Sequence, residues 1–160
     1  MSKLKIGWFS FSCCEDSTIV FTELMNTHFF EWKKKIDFRH TKILKSNNVL
    51  EGLDVAFIEG AIATEKDEGE VKRIRAAARF VVAIGSCAVN GGPSAQRNKF
   101  DKSKQEKISS QIMQFGLNDR VKCLSEVIGV DSEVDGCPMS EDAFLTVLDK
   151  YFTIFGVNNA

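Results

Sequence analysis

Leu53-Asp54-Val55-Ala56-Phe57-Ile58-Glu59-Gly60 is an apolar run of strand length that ends on a turn residue. Arg79-Phe80-Val81-Val82-Ala83-Ile84 is a second such run, and it stops at Gly85-Ser86-Cys87. Short, nearly unbroken apolar runs are the pattern of strands buried on both faces. Between the two, Thr64 and Asp67 form a capping-box pair with Asp in place of Glu. A helix over 65–78 follows, with Val71, Ile74, Ala77 and Ala78 inward beneath a charged outer face. Strand, helix and strand in that order predict a right-handed crossover between parallel strands.

The same alternation extends in both directions. Leu4–Ser10 is another apolar run, broken only by Lys5. Ser12-Cys13-Cys14-Glu15-Asp16-Ser17-Thr18 then supplies residues that cap a helix. Ile19, Val20, Leu24 and Met25 give that helix an apolar face, with Phe29 and Phe30 near its end, and 35–40 reads as the next strand. Beyond Cys87, the charged stretch 98–107 reads as a solvated loop and helix start, with an interaction surface as the second reading. Ile108, Ile112 and Phe115 make one helical face closed by Gly116. A last strand over 127–134 ends at Asp135-Gly136-Cys137-Pro138, and Ser140 caps a terminal helix with Glu141 and Asp142 in its first turn. The expected fold is α/β, a mainly parallel sheet with helices on both faces. In such sheets, ligands bind outside the carboxyl ends of the strands.

The 160 residues and 17.9 kDa make one domain over 1–160, and 44% hydrophobic with 27% charged residues is a globular composition. A net charge of −1 argues against nucleic acid or an anionic membrane as the partner. No apolar run is long enough to insert in a bilayer. Met1-Ser2-Lys3-Leu4-Lys5 runs straight into the first strand without an apolar signal region, so the cytoplasm is the expected compartment.

Five cysteines, an odd number, argue against a disulfide framework and for metal ligation or buried thiols. Cys13 and Cys14 follow the first strand, Cys87 follows the 79–84 strand, and Cys137 follows the last. They lie 73 and 50 residues apart along the chain, counted from Cys14, yet all fall in loops at one edge of the expected sheet. Four thiolates in one crevice suit a [4Fe–4S] cluster; they also suit tetrahedral zinc. Gly85, Gly91-Gly92 and Gly136 leave room beside them for a bulky inorganic group. Cys123 lies outside the pattern and reads as structural, as do His28 and His40, which lack metal-ligand spacing.

Four segments, in order, carry a resemblance. Phe9-Ser10-Phe11-Ser12-Cys13-Cys14-Glu15, Val55-Ala56-Phe57-Ile58-Glu59-Gly60, Ala83-Ile84-Gly85-Ser86-Cys87-Ala88-Val89-Asn90-Gly91-Gly92 and Val134-Asp135-Gly136-Cys137-Pro138 resemble the small subunit of cytoplasmic [NiFe]-hydrogenases and the homologous 20 kDa subunit of respiratory complex I. The likeness covers nearly the whole chain. It implies a flavodoxin-like three-layer sandwich holding one [4Fe–4S] cluster proximal to a partner's active site. It further implies a hydrogenase-like large subunit carrying the nickel–iron centre. Electrons would leave through another electron-transfer subunit, linked to ferredoxin, flavin or NAD.

Two departures follow. The hydrogenase pattern after the first strand is Cys-x-Gly-Cys-Glu, but here Phe11 stands at the first thiol and Cys13 at the glycine. Tandem cysteines that both ligate are the pattern of the complex I relative, so Cys13, Cys14, Cys87 and Cys137 are the expected ligands. An oxygen from Ser12 in place of Cys13 is the alternative. The other departure is that no cysteine follows Cys137, so one cluster is expected. By the resemblance, Glu15 is linked to proton movement at the subunit interface, with Glu59 the weaker candidate. Glu15 and Asp16 put negative charge beside the ligands, which predicts a low cluster potential. The competing readings are a free-standing FMN binder using residues 10–18 as a phosphate cradle, a zinc protein and a hydrogen sensor. Against the first, Glu15 and Asp16 would repel a phosphate.

Overall fold

In the computed structural model, which describes residues 3–157, five parallel strands form one sheet in the order β2-β1-β3-β4-β5. The strands are β1 (Leu4–Ser10), β2 (Ile36–Thr41), β3 (Leu53–Glu59), β4 (Ala78–Ile84) and β5 (Ser132–Val134). The helices are α1 (Asp16–Lys35), α2 (Glu65–Ala77), α3 (Gly85–Asn90), α4 (Lys102–Gln114) and α5 (Glu141–Ile154). The order 2-1-3-4-5 is that of the doubly wound flavodoxin-like sheet, so the expected three-layer sandwich is the fold.

Each face of the sheet has its own core. On one side, α1 and α5 cover Leu4, Ile6, Trp8, Val55, Phe57 and Ile84. Aromatic rings fill this side: Trp8 stacks on Phe21 at 4.3 Å between centroids, and Phe144 meets Trp8, Phe21, Trp32 and Phe57 edge-on. On the other side, Val71 and Ile74 of α2 and Ala88 of α3 pack on Ala56, Ile58, Val81 and Ala83. The capping box at α2 forms as the spacing requires, with Thr64 Oγ1 accepting from Asp67 N and Asp67 Oδ2 from Thr64 N.

Several expectations need correction. The last strand is only Ser132–Val134; its hydrogen bonding reaches no further back than Asp131 N to Val81 O, and Leu124–Glu126 forms a 3-10 turn. Ile19 faces solvent rather than the core. The α4 face is only partly covered: Ile108 and Ile112 are half-buried, and Phe115 beyond its end is 66% exposed. Ala77 is half-buried. Of the rings near the end of α1, Trp32 is buried whereas Phe29 and Phe30 are exposed.

Candidate functional site

Three segments at the carboxyl ends of the strands close on one crevice. Cys13, Cys14, Cys87 and Cys137 all line it, with Asp16, Ser17, Glu59, Gly85, Gly136 and Pro138 among their neighbours. Cys87 is buried, Cys13 half-buried, and Cys14 and Cys137 exposed. Ser12, the alternative ligand, does not line the crevice; its backbone pairs with Ala61 in both directions at 3.0 and 3.1 Å. Cys123 lies elsewhere, at the start of the Leu124–Glu126 turn.

Local chemistry fixes each cysteine segment. Residues 11–12 run along β3's end, Phe11 N donating to Glu59 O at 2.8 Å. α3 begins directly at Gly85, and Ser86 N donates to Gly136 O at 2.8 Å, tying the Cys87 segment to the Cys137 segment. Asp135 reinforces that tie by accepting from the Ser86 hydroxyl at 2.7 Å and from Gly136 N at 2.7 Å. The Ser86 hydrogen bond, with that of Gly136 N, holds the Asp135 carboxyl below its ordinary pKa. The Cys137–Pro138 peptide is cis. Ser94 bridges to the first segment: its hydroxyl donates to Ser12 O at 2.8 Å and lies 3.4 Å from Cys87 Sγ. Gly92 is required here, because at φ 38° its Cβ would stand 2.8 Å from Cys87 N.

Glu59 is the buried charge of the site, 3% exposed. Its Oε1 accepts from Ser17 N at 3.0 Å and its Oε2 from the Thr18 hydroxyl at 2.6 Å. Thr18 Oγ1 in turn accepts from Trp8 Nε1 at 2.8 Å. A strand-end carboxylate thus caps a neighbouring helix, for the residue at α1's own N-cap, Glu15, makes no side-chain cap bond. Burial pushes the Cys13 thiol up to about 12, with the Glu59 charge adding to it. Glu15 is exposed, sits at φ 64°, and lines a neighbouring pocket with His40, Lys42 and Glu70. His40 stacks on Phe9 and His28 on Trp32, and neither lines the crevice.

Sequence reasoning gathered the cysteines but missed the polar ties. Ser17 was legible only as a helix-start residue, yet its hydroxyl also accepts from Met139 N at 3.2 Å, across 122 residues. Ser94 and Asp135 left no signal beyond their nearness to glycine and cysteine.

Comparison with known proteins adds the family. Residues 13–151 match the family described as NADH ubiquinone oxidoreductase, 20 Kd subunit. The chain belongs to this family. One relative in sequence is a subunit of the F420-non-reducing hydrogenase of Methanothermobacter thermautotrophicus, 31% identical over 157 residues, covering 88% of this chain and 50% of that one. Another is the delta subunit of the NAD-reducing hydrogenase HoxS of Cupriavidus necator, 23% identical, covering 92% and 78%. The chain spans about half the length of the Methanothermobacter relatives it matches. In structure it resembles a chain of an NAD+-reducing [NiFe]-hydrogenase, with a TM-score of 0.82, 24% identity and coverage of 95% and 92%. It also resembles a chain of the Ni-Fe-Se hydrogenase of Desulfomicrobium baculatum, with a TM-score of 0.71, 14% identity and coverage of 96% and 63%. Both likenesses are of fold. Among the described residues no helix is long and apolar enough to cross a membrane.

Proposed function

We propose that this chain is an electron-transfer subunit of a hydrogenase-type complex. In this reading Cys13, Cys14, Cys87 and Cys137 hold one [4Fe–4S] cluster, and the rim they form docks against a large subunit with a nickel–iron centre. The supporting observation is that four thiols from three distant segments line a single crevice. Soft sulfur donors suit iron, and the cysteine segments pack so closely that a Cβ at Gly85 would stand 2.9 Å from Ser17 Oγ and one at Gly136 2.5 Å from Pro138 O. Among the described residues, no three His, Cys, Asp or Glu side chains are set to hold one metal ion. A [4Fe–4S] cluster takes one sulfur per iron whereas zinc draws four to one ion, so metal analysis separates the two.

When bound, such a cluster takes up and releases one electron at a time. The chain's own residues hold the segments in place: Ser94 and Asp135 bridge them, and Glu59 fixes the start of α1. Glu59 is therefore a positioning residue, both oxygens being engaged, whereas Glu15 is free at the surface to carry a proton. Tandem Cys13-Cys14 and the family match favour a second version of the same role, a complex I-like subunit whose large partner lacks nickel.

Anaerobic purification with iron and sulfide analysis tests the assignment. About four irons and four sulfides per chain are expected, and Cys87→Ser or Cys137→Ser should lose most of both. Cys123→Ser should lose neither. A zinc- or flavin-loaded chain, or full iron retention in the Cys87 and Cys137 variants, would refute it. Nickel analysis of the co-purified large partner separates the two versions.

A further inference from the structure

We infer that the segment from Arg97 through α4 is a docking surface for a small acidic electron-carrier protein. This rests on the proposed electron-transfer role, because it assigns that role a point of exit. Between Arg97 and Lys107 stand five basic residues and two acidic ones, a local charge of +3 in a chain whose total is −1. Lys102, Lys104 and Lys107 are exposed on a helix that buries no residue. Of these, Lys104 alone has an acidic partner among the described residues, Asp101 within its own turn.

The helix also exposes apolar residues. Met113 is 82% exposed and Phe115 66%. Ile112 and Met113 line a groove of about 530 Å³ between α4 and residues 119–120. Exposed apolar residues on the same helix as exposed lysines suit a protein interface, and the lysines select an acidic partner.

The surface is joined to the cysteine crevice. It begins three residues after Ser94, whose hydroxyl lies 3.4 Å from Cys87 Sγ. Ala95 packs in one cluster with Cys13, Cys87 and Val121, and Asn98 clamps Val121 through paired hydrogen bonds of 2.7 and 2.9 Å. The Arg97–Asn98 end of this surface thus lies beside the segment that bears Cys87, and a carrier seated there is the one placed to exchange electrons with it. With a cluster held by the four cysteines, the transfer would be one electron to the carrier's oxidised one-electron centre, with no bond made and no proton moved.

Binding of an acidic plant-type [2Fe–2S] ferredoxin to the full chain, followed by calorimetry, tests this without any turnover. Binding at low ionic strength should weaken at least about tenfold by 300 mM salt, since screening removes the attraction of the lysines. The variant K102E/K104E/K107E should weaken it by about tenfold or more at low salt. Reversing Lys33 and Lys45, which line the separate groove beside β2, should leave it unchanged. Carbodiimide cross-linking of the unaltered chain gives a second readout, with links expected at lysines 99–107. The inference is overturned by no binding at low salt, by equal effects of the two reversals, by links confined to other lysines, or by a chain that binds heparin but not ferredoxin. Iron content is measured separately, so a cluster-free chain that binds ferredoxin this way, or a cluster-bearing chain that does not, tells the two readings apart.

Discussion

Glu59 stands at the end of β3 and serves a helix to which it does not belong. It takes the Ser17 amide and the Thr18 hydroxyl, two donors at the first turn of α1, and does so while buried. A carboxylate accepts both; a glutamine has one acceptor oxygen and turns an N–H₂ toward the other donor. Glu59→Gln is therefore expected to destabilise the fold by about 1–3 kcal/mol, the range for leaving a buried polar group unsatisfied. In urea denaturation the midpoint should fall with an unchanged slope. A midpoint equal to that of the unaltered chain would mean that α1 does not depend on this cap. The sequence marked Glu59 as a strand-end acid beside the cysteines, but its capping role was hidden. That role depends on β3 lying next to β1, so that the carboxylate reaches the first turn of α1, 42 residues earlier in the chain.

Helices α1 and α5 share one face of the sheet and meet through rings. Phe144 of α5 is 1% exposed and touches Trp8, Phe21, Trp32 and Phe57, so it joins two helices and two strands in one contact group. Phe144→Ala should cost about 3–5 kcal/mol, and Phe144→Leu, which keeps most of the volume, less than about 2 kcal/mol. Equal thermal midpoints for the two variants would contradict this packing. At this scale the sequence was most legible where an element is buried on two sides or carries its own cap. Runs such as 53–59 and 79–84 have almost no polar residue to confuse the period, and Thr64 with Asp67 marks α2 in four residues. Helix α3 was not legible, because six residues starting on glycine are too few to show a period. The apolar side of α4 was read from Ile108, Ile112 and Phe115, but a stripe fixes which side is apolar and not what it meets. Ile19 failed for another reason: Ser17, Thr18, Val20 and Phe21 around it are buried, so the first turn is covered and Ile19 lies on its outer side.

Over the whole molecule, a near-neutral total hides a separation of charge. Lysines crowd α4 and rim the apolar groove beside β2, whereas the crevice has Asp16 and Glu59 in its lining and Glu15 beside it. The cysteines could be gathered from sequence because a parallel sheet sends every strand's carboxyl end to the same edge, a property of topology and not of any one segment. The field at that edge has a consequence for the proposed cluster. Adding an electron beside fixed negative charge is unfavourable, so Glu15 and Asp16 should hold the potential down, although the positive end of α1's dipole opposes them. Both carboxylates are exposed, which limits each to on the order of 1 kcal/mol. For a one-electron couple that corresponds to roughly 40 mV per charge. The variant E15Q/D16N should therefore raise the midpoint by several tens of millivolts in a redox titration followed by electron paramagnetic resonance. The shift should shrink at high salt, because exposed charges are screened over about 8–10 Å at moderate ionic strength. An unmoved midpoint at low salt would show that hydrogen bonds to sulfur and burial, rather than these two charges, set the potential.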